Sequence, residues 1–362
     1  MAGFIERAGL NVLFRFDPET AHRLAIRGLS LGVHAKAPPP PPILRTRVLG
    51  LDFPSPVGLA AGFDKNAEAV DGLLRLGFGF VEVGTVTPLP QAGNPRPRMF
   101  RLEADEAIIN RLGFNNDGAE TILARLAARR QGGIVGVNLG ANRASTDRIA
   151  DYVAGVDRFA RHASYLVINI SSPNTPGLRG LQDAESFETL LLRVVAARDE
   201  ASNGGVTTPL LVKIAPDLDH GALEAIARIA LTSGIDGIVV GNSTIARTGV
   251  SDVRLAGEAG GLSGRPLFQR ATIMLARLRA LVGPNLPLIG TGGVDTAEAA
   301  LTKLLAGADL VQVYTGMVFR GHGIAARINA RLAELLAERD FASPEDAVGR
   351  ETDRWAAMRM PG

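Results

Sequence analysis

Two lysines and several Asn, Ser and Thr residues directly follow short apolar runs of this chain. Lys65 lies in AAGFDKN (residues 60–66) and Lys213 in KIAPD (213–217), and similar polar strings stand at NISSPNTPGLRG (169–180) and GNST (241–244). Polar groups that repeatedly follow buried strands would gather at one edge of a parallel sheet. Unrelated loops would carry assorted polar residues instead. The pattern therefore predicts an active site built from strand ends.

Lys213 and a group of glycines suit a phosphorylated redox cofactor. A fixed positive charge after a strand is what the N1–C2 edge of a reduced, anionic flavin requires. Gly290, Gly292, Gly293 and Gly316 follow two late apolar runs, where backbone N–H groups can hold a phosphate. Two alternatives stay open at this point: Lys213 paired with Asp217, and glycines that only make turns.

Four asparagines offer amides that can both donate and accept hydrogen bonds: Asn138, Asn169, Asn174 and Asn242. Such groups suit a planar heterocycle with alternating C=O and N–H edges, such as a pyrimidine. Lys65 would add the charge that a carboxylate substituent needs. The loop NRLGFNNDG (110–118) supplies further amides, although by itself it could be an ordinary turn.

The elements that would carry these residues repeat along the chain. Apolar runs predict eight strands, at 57–60, 80–83, 134–139, 165–170, 210–214, 237–240, 287–289 and 310–313, with helices at 119–130, 186–201, 221–232, 269–281 and 296–305. Eight strands with helical connections indicate a parallel (β/α)₈ barrel, a TIM barrel of the α/β class. A doubly wound sheet is the alternative, but no GxGxxG string follows the first strand.

Composition excludes several other classes of protein. The 362 residues carry 39 Lys and Arg against 37 Asp and Glu, and this net charge of +2 is too small to bind a nucleic-acid backbone. There is no cysteine, so disulfides, thiolate metal sites and cysteine nucleophiles are excluded. The five histidines show no metal-ligand spacing. We therefore expect no metal centre.

The first 42 residues read as a separate unit ahead of the barrel at 43–362. Phe4, Ile5, Ala8, Val12, Leu13 and Phe16 would share one face of a first helix, and Asp17-Pro18 would start a second. A run of five prolines then predicts a stiff, non-helical linker. The unit carries more basic than acidic residues and reads either as a helical cap on the barrel or as a hairpin on a membrane surface. Charged residues interrupt any signal-peptide pattern.

At this point a resemblance to a known family is evident. NISSPNTPGLRGLQ (169–182) resembles the signature of the dihydroorotate dehydrogenases, and AAGFDKN, NRLGFNN, KIAPD, GGLSGRPL (260–267), GTGGV and VQVYTG (311–316) match the same family in order and spacing. The resemblance covers about residues 43–325. It implies a (β/α)₈ barrel with FMN that oxidises dihydroorotate to orotate in pyrimidine synthesis. The soluble class uses a catalytic cysteine, which this chain lacks.

The resemblance also implies roles for single residues. Ser172 matches the catalytic base of the membrane-associated, quinone-dependent class, and residues 1–36 match its N-terminal extension. The positions that match flavin contacts are Ala61, Gly62, Phe63, Asp64, Lys65, Thr85, Asn138, Asn169, Lys213, Gly241, Gly264, Gly293, Tyr314 and Thr315. Those that match the orotate-binding set are Lys65, Asn110, Arg111, Leu112, Gly113, Phe114, Asn169, Asn174, Asn242 and Ser243.

These observations predict a quinone-dependent enzyme bound peripherally to the cytoplasmic side of the cell membrane. Electrons would leave to a membrane quinone through the hairpin, where His22 and Arg101 are candidate lining residues. Two alternatives were weighed. One is another FMN barrel, such as a dihydrouridine synthase acting on RNA, which the near-neutral charge and the missing cysteine disfavour. The other is a barrel that only binds a nucleotide or a membrane partner.

Overall fold

Eight parallel strands close into a barrel in the computed structural model, which describes residues 2–33 and 36–361, with side chains from Glu6 onward. The strands along the chain are β1 (Thr46–Val48), β2 (Leu51–Phe53), β3 (Val57–Leu59), β4 (Phe80–Val86), β5 (Met99–Leu102), β6 (Ala107–Asn110), β7 (Ile134–Leu139), β8 (Tyr165–Asn169), β9 (Leu210–Ile214), β10 (Gly237–Val240), β11 (Gly261–Gly264), β12 (Leu288–Thr291) and β13 (Leu310–Val313). The barrel order is β3-β4-β7-β8-β9-β10-β12-β13. The predicted (β/α)₈ barrel is confirmed.

Helices surround the barrel. They are α1 (Ala2–Leu13), α2 (Pro18–Ser30), α3 (Val70–Arg75), α4 (Ala119–Ala127), α5 (Arg148–Phe159), α6 (Ala184–Ser202), α7 (His220–Thr232), α8 (Val253–Ala256), α9 (Phe268–Val282), α10 (Ala297–Leu305), α11 (Thr315–Arg320), α12 (Ile324–Ala337), α13 (Pro344–Ala347) and α14 (Thr352–Ala356). The five helices predicted between strands all form, and most of their ends shift by one to three residues. The main core lies between these helices and the strands.

Large aromatic side chains fill the amino-terminal half of the barrel interior. Phe80 and Tyr165 are fully buried there, with their ring centroids 6.2 Å apart. Gly136 makes room for one of them, since a Cβ at this position would lie 2.2 Å from the Tyr165 ring. The β1–β2 hairpin closes this end with Val48 and Phe53. Only the carboxyl-terminal end of the barrel is left to receive a ligand.

Five strands were not predicted: β1, β2, β5, β6 and β11. β5, β6 and β11 form an antiparallel sheet of their own, and β11 lies within the quoted string GGLSGRPL (260–267). Each is only three or four residues long. Barrel strands of the same length are buried throughout and stand out as apolar runs, whereas each of these five has at least one position that is not buried.

The N-terminal hairpin packs on the barrel through two acidic residues. Glu6 accepts from the Gly323 amide at 2.7 Å and pairs with Arg327, while Glu19 pairs with Arg96 and Arg98. The predicted start of α2 is confirmed, because the Asp17 carboxylate accepts from the Thr20 amide at 3.0 Å.

The apolar face predicted for the first helix is only partly correct. Val12 and Phe16 are exposed to solvent, and the side chains of residues 4 and 5 lie outside the described residues. Ala8 is exposed as well. Leu13 does line the space between the hairpin and the barrel, as predicted, and it is joined there by Leu10 and Phe14, which the prediction did not include. The proline linker also differs at its end, where Pro42 begins a short 3₁₀ helix that runs to Leu44.

Among the helices of the described residues, none combines the length and the apolar character that crossing a bilayer requires.

Candidate active site

One cavity opens at the carboxyl-terminal end of the barrel, and it is lined by the ends of most barrel strands. Ser172, Lys65 and Lys213 all face it. Of the other positions singled out in the sequence, the cavity is lined by Ala61, Gly62, Thr85, Asn110, Leu112, Gly113, Phe114, Asn169, Asn174, Gly241, Asn242, Ser243, Gly264, Gly292, Gly293, Tyr314, Thr315 and Gly316. Residues distant in sequence thus converge on a single site.

Five of the predicted site residues lie outside this lining. Gly290 lies in β12, where a Cβ would meet the Ala308 and Leu275 side chains rather than the cavity. Phe63 contacts the space under the hairpin, and Asp64 accepts hydrogen bonds from the amides that follow it in its own loop. Asn138 is fully buried beneath the cavity. The Arg111 guanidinium forms an ion pair with Glu258 at 2.7 Å and lies over the Phe100 ring.

Ser172 lies in the loop that follows β8, and its side chain is 6 % exposed. Its Oγ accepts a hydrogen bond from the Asn174 amide at 3.2 Å, which fixes the oxygen near the cavity. The Asn174 side chain in turn donates to the Asn110 side chain at 3.2 Å and ties this loop to β6. The loop therefore presents a hydroxyl and two amides on one side of the cavity.

Both lysines of the cavity lose hydration there. Burial lowers the pKa of Lys65 to about 8, and its Nζ donates to the Gly62 carbonyl at 2.7 Å. Burial also lowers the pKa of Lys213, and the negative charge of Glu82 partly opposes this shift. The alternative pairing of Lys213 with Asp217 is wrong, because Asp217 pairs with Arg179 at 2.9 Å. Lys213 is left facing the cavity.

Glycines form the end of the cavity between β11, β12 and α11. Gly264, Gly292 and Gly293 all have positive φ, and a Cβ at Gly264 would lie 2.3 Å from the Glu106 carbonyl oxygen. The backbone there can approach a ligand without intervening side chains. This end suits a phosphate group.

A second, apolar cavity of about 350 Å³ lies between the hairpin and the barrel. It is lined from the hairpin by Leu10, Leu13 and Phe14, and from the barrel side by Met99 and Val318. Tyr314 lines both this cavity and the central one. Its ring meets that of Phe63 edge-on, with centroids 6.0 Å apart.

His22 and Arg101 line the apolar cavity, where the sequence interpretation expected them. His22 donates from Nε2 to the Phe63 carbonyl at 2.7 Å, and burial lowers its pKa to about 3, so the ring is neutral. The Arg101 guanidinium lies 4.5 Å from the centroid of the Phe14 ring and donates to the Phe14 carbonyl. Both side chains hold the hairpin to the barrel.

Several cavity residues were missed in the sequence. Gln312 comes from the middle of β13, and Arg265 and Asp295 form an ion pair at 2.7 Å beside the glycine end. Arg265 and Asp295 had a usable signal in the sequence. Arg265 lies within the quoted string GGLSGRPL, and Asp295 directly follows GTGGV. Gln312 had another, a polar residue inside an apolar strand.

Comparisons with known proteins agree with this site. Residues 43–336 match the family described as dihydroorotate dehydrogenase. Relatives from Brucella ovis and Brucella suis, both named dihydroorotate dehydrogenase (quinone), are 52 % identical over 99 % of this chain and 100 % of their own.

Solved structures agree as well. Crystal structures of DHODH from Eimeria tenella, one with ferulenol and one ligand-free, superpose with TM-scores of 0.89 and 0.87 at 38 % identity. Each superposition covers 92 % of this chain. It covers 96 % of the chain in the ferulenol complex and 99 % of the chain in the ligand-free structure. The chain belongs to the dihydroorotate dehydrogenase family.

Proposed function

We propose that the central cavity binds FMN and dihydroorotate side by side, and that the apolar cavity admits the quinone that accepts the electrons. The protein is an oxidoreductase of its family and oxidises dihydroorotate to orotate in pyrimidine biosynthesis. The observation that carries the proposal is Tyr314, which lines both cavities. A cofactor lying against this ring would reach the substrate on one side and the quinone on the other.

The residues present fit FMN. The glycine end provides a phosphate cradle beside Thr315, which starts α11. Lys213 supplies a positive charge at the cavity floor, and Gln312 has an Oε1 for which the described residues offer no hydrogen-bond partner. When bound, FMN would take two electrons from dihydroorotate and pass them to the quinone. Lys213 would stabilise the negative charge that this transfer brings.

Lys65 and the amides would hold the substrate. Asn110, Asn174 and Asn242 line the cavity near Ser172, and their side chains can pair with the C=O and N–H edges of a pyrimidine ring. Lys65 would bind the carboxylate, and the low polarity that depresses its pKa also strengthens an ion pair. We assign orotate and dihydroorotate to this set.

Ser172 would remove the proton from the substrate carbon. Its Oγ already accepts from the Asn174 amide, so the hydroxyl hydrogen is directed elsewhere and can leave by another route. Thr175 lies three residues further on and is buried, but it does not line the cavity. We therefore favour water as the acceptor of the Ser172 proton.

The hairpin would meet the membrane. Five of its apolar side chains are exposed to solvent: Val12, Phe16, Leu24, Leu31 and Val33. Arg23 and Arg27 lie on the same hairpin, and basic groups favour anionic lipid headgroups. We propose a peripheral contact with the cytoplasmic side of the cell membrane, through which a quinone enters the apolar cavity.

Two measurements test this proposal. Acid-precipitated protein should release FMN, identified by chromatography, at about one per chain. Anaerobic dihydroorotate should bleach the flavin absorbance of the intact protein, and a quinone should restore it. Release of FAD, or a flavin that dihydroorotate does not reduce, would refute the cofactor or the substrate assignment.

A further inference from the structure

Glu82 lies inside the barrel, between the buried aromatic rings and the central cavity. It is fully buried on β4 and accepts three hydrogen bonds. Asn138 donates to Oε1 at 2.8 Å, while Gln312 at 2.6 Å and Tyr165 at 3.3 Å donate to Oε2. A carboxylate in this position only accepts, so each partner must turn a donor towards it.

The orientation of Asn138 follows from this contact. With its Nδ2 held by Glu82, its Oδ1 faces the cavity side and accepts from Thr85 Oγ1 at 2.6 Å and from Asn169 Nδ2 at 3.0 Å. Asn169 Nδ2 also lies 2.9 Å from Thr85 Oγ1. The Asn138 side chain therefore helps to orient the Asn169 side-chain amide, and Asn169 Oδ1 can accept hydrogen bonds from other groups.

The same directionality continues to the substrate side of the cavity. Asn169 Oδ1 accepts from Ser171 Oγ at 2.8 Å, and Ser171 Oγ accepts from Asn242 Nδ2 at 2.8 Å. Asn242 Oδ1 then accepts from the Ser243 amide at 2.7 Å. A continuous chain of hydrogen bonds thus runs from Glu82 to the loop beside Ser172.

An amide group has nearly the same shape in either orientation, so only its partners decide which end donates. Backbone N–H groups orient part of this chain, since Ser171 donates to Asn169 Oδ1 at 3.3 Å and Ser243 donates to Asn242 Oδ1 at 2.7 Å. The Asn138 side chain has no backbone partner among the described residues, so the Glu82 carboxylate decides its orientation. A reversed Asn138 would turn its Oδ1 against another acceptor.

We propose that Glu82 is a positioning residue that fixes the orientation of Asn138 and, through it, supports that of the Asn169 amide at the substrate site, although it touches neither substrate nor cofactor. The inference rests on the proposed function, since it assumes that orotate binds beside Asn169 and Asn242. The negative charge of Glu82 also counteracts the burial that lowers the pKa of Lys213.

The decisive variants are Glu82→Met and Glu82→Gln, compared by the Kd of orotate for FMN-loaded protein. Methionine has a similar length but offers no acceptor, so Asn138 loses its orientation and we expect orotate to bind about tenfold more weakly. Glutamine can still accept from Asn138, while Gln312 turns over at little cost because its Oε1 has no partner among the described residues. We therefore expect Glu82→Gln to bind orotate within about threefold of the parent.

A double-variant cycle separates positioning from general damage. Asn138→Leu breaks the chain at its next link and should weaken orotate by itself. Glu82→Met added to it should change the Kd less than about twofold, because coupled residues do not add. Tyr165→Phe serves as the control, since it removes only the longest hydrogen bond to the same carboxylate.

The outcomes are distinct. A parental Kd in Glu82→Met, or full additivity in the cycle, rejects the inference. If Glu82→Met does not fold, Asn138→Leu decides alone, and a parental Kd in that variant rejects it. Failure of the parent protein to bind orotate or FMN would instead reject the proposed function.

Discussion

In the proposed reaction Ser172 would act as a base, in a position where its environment does little to activate its hydroxyl. A hydroxyl gives up its proton far less readily than a thiol does, and the only hydrogen bond that its Oγ makes with the described residues comes from the Asn174 amide. That bond holds the oxygen but does not take the proton. We therefore expect the contribution of Ser172 to be kinetic, since it would place a proton acceptor beside the substrate without contributing much binding energy.

Replacing the hydroxyl tests this role. In Ser172→Ala we expect flavin reduction by dihydroorotate to slow by about 10²–10⁴-fold, the usual effect of losing a general base. The orotate Kd should change no more than a few-fold. Single-turnover stopped flow gives the rate, and Ser172→Cys is the matched comparison, because a thiolate forms more readily and should recover part of it. An unchanged rate in Ser172→Ala would assign the base to another residue.

Lys65 should make substrate binding depend on pH. Its pKa of about 8 in the free protein means that the charge that would bind the carboxylate is present below this value and lost above it. Orotate affinity should therefore be constant at lower pH and fall as the pH rises through about 8. Titrations of Kd against pH measure this, and Lys65→Arg is the control, because arginine keeps its charge over the whole range. A pH-independent Kd in the parent would count against Lys65 as the carboxylate ligand.

At the scale of elements, the hairpin of α1 and α2 covers a cavity that the barrel leaves open. Glu6 near the start of α1 and Glu19 near the start of α2 form ion pairs with arginines of the barrel. Residues such as Leu13 face the barrel across the apolar cavity. This arrangement keeps the two helices attached while a space remains between them and Tyr314. The hairpin therefore forms one wall of the apolar cavity, while Ile26 and Leu29 of α2 also join the main hydrophobic core.

Gly28 offers a way to fill that space without removing the hairpin. It lies on α2 and lines the apolar cavity, and a Cβ built on it would have no neighbour within 4 Å. Gly28→Phe should slow flavin reoxidation by a long-chain quinone at least about tenfold, because the ring occupies the quinone space, whereas reduction by dihydroorotate should stay within about twofold.

Stopped flow of the two half-reactions checks this, with Gly28→Ala as the control for the loss of glycine alone. Equal quinone rates in Gly28→Phe and the parent would argue that the quinone reacts elsewhere. Equal slowing of both half-reactions would indicate damage to the central site instead.

At the scale of the whole molecule, one buried lysine works against folding. Lys303 on α10 is fully buried, and its Nζ lies 5.2 Å from the centroid of the Phe268 ring with no hydrogen-bond partner among the described residues. Burial lowers its pKa well below the ordinary 10.5. Folding must then release a proton that the unfolded chain holds, so the free energy of unfolding rises with pH until the ordinary pKa is reached.

Replacing Lys303 by an apolar residue should stabilise the protein, because folding would no longer require the loss of a proton. We expect Lys303→Met to raise Tm at neutral pH by about 2 °C or more. The gain should shrink as the pH rises towards 10.5. Thermal denaturation of holoenzyme at several pH values measures it, and Lys36→Met is the control, since Lys36 is exposed. A loss of stability, or a gain that does not depend on pH, would mean that Lys303 is charged where it lies.

Local patterns in the sequence determine much of the secondary structure of this protein. The eight barrel strands, the helices between them and the start of α2 at Asp17 follow from apolar runs and capping residues, which act over a few neighbouring positions. The polar strand ends were also visible, because a parallel barrel collects them at one rim. Lys65 and Lys213 could be named from the sequence for this reason, and Ser172 from the resemblance to the family.

The tertiary structure decided the rest. The strands β5, β6 and β11 are not buried throughout as the barrel strands of equal length are, and they are defined by pairing with one another. The apolar cavity arises where α1 and α2 meet the barrel, and Val12 and Phe16 turned out to face solvent because helix packing, not periodicity, chose the buried side. Glu82 meets Asn138 and Gln312 only inside the closed barrel. Sequence patterns report the forces between near neighbours along the chain, whereas hydrogen bonds and packing across the barrel depend on distances that only the folded chain defines.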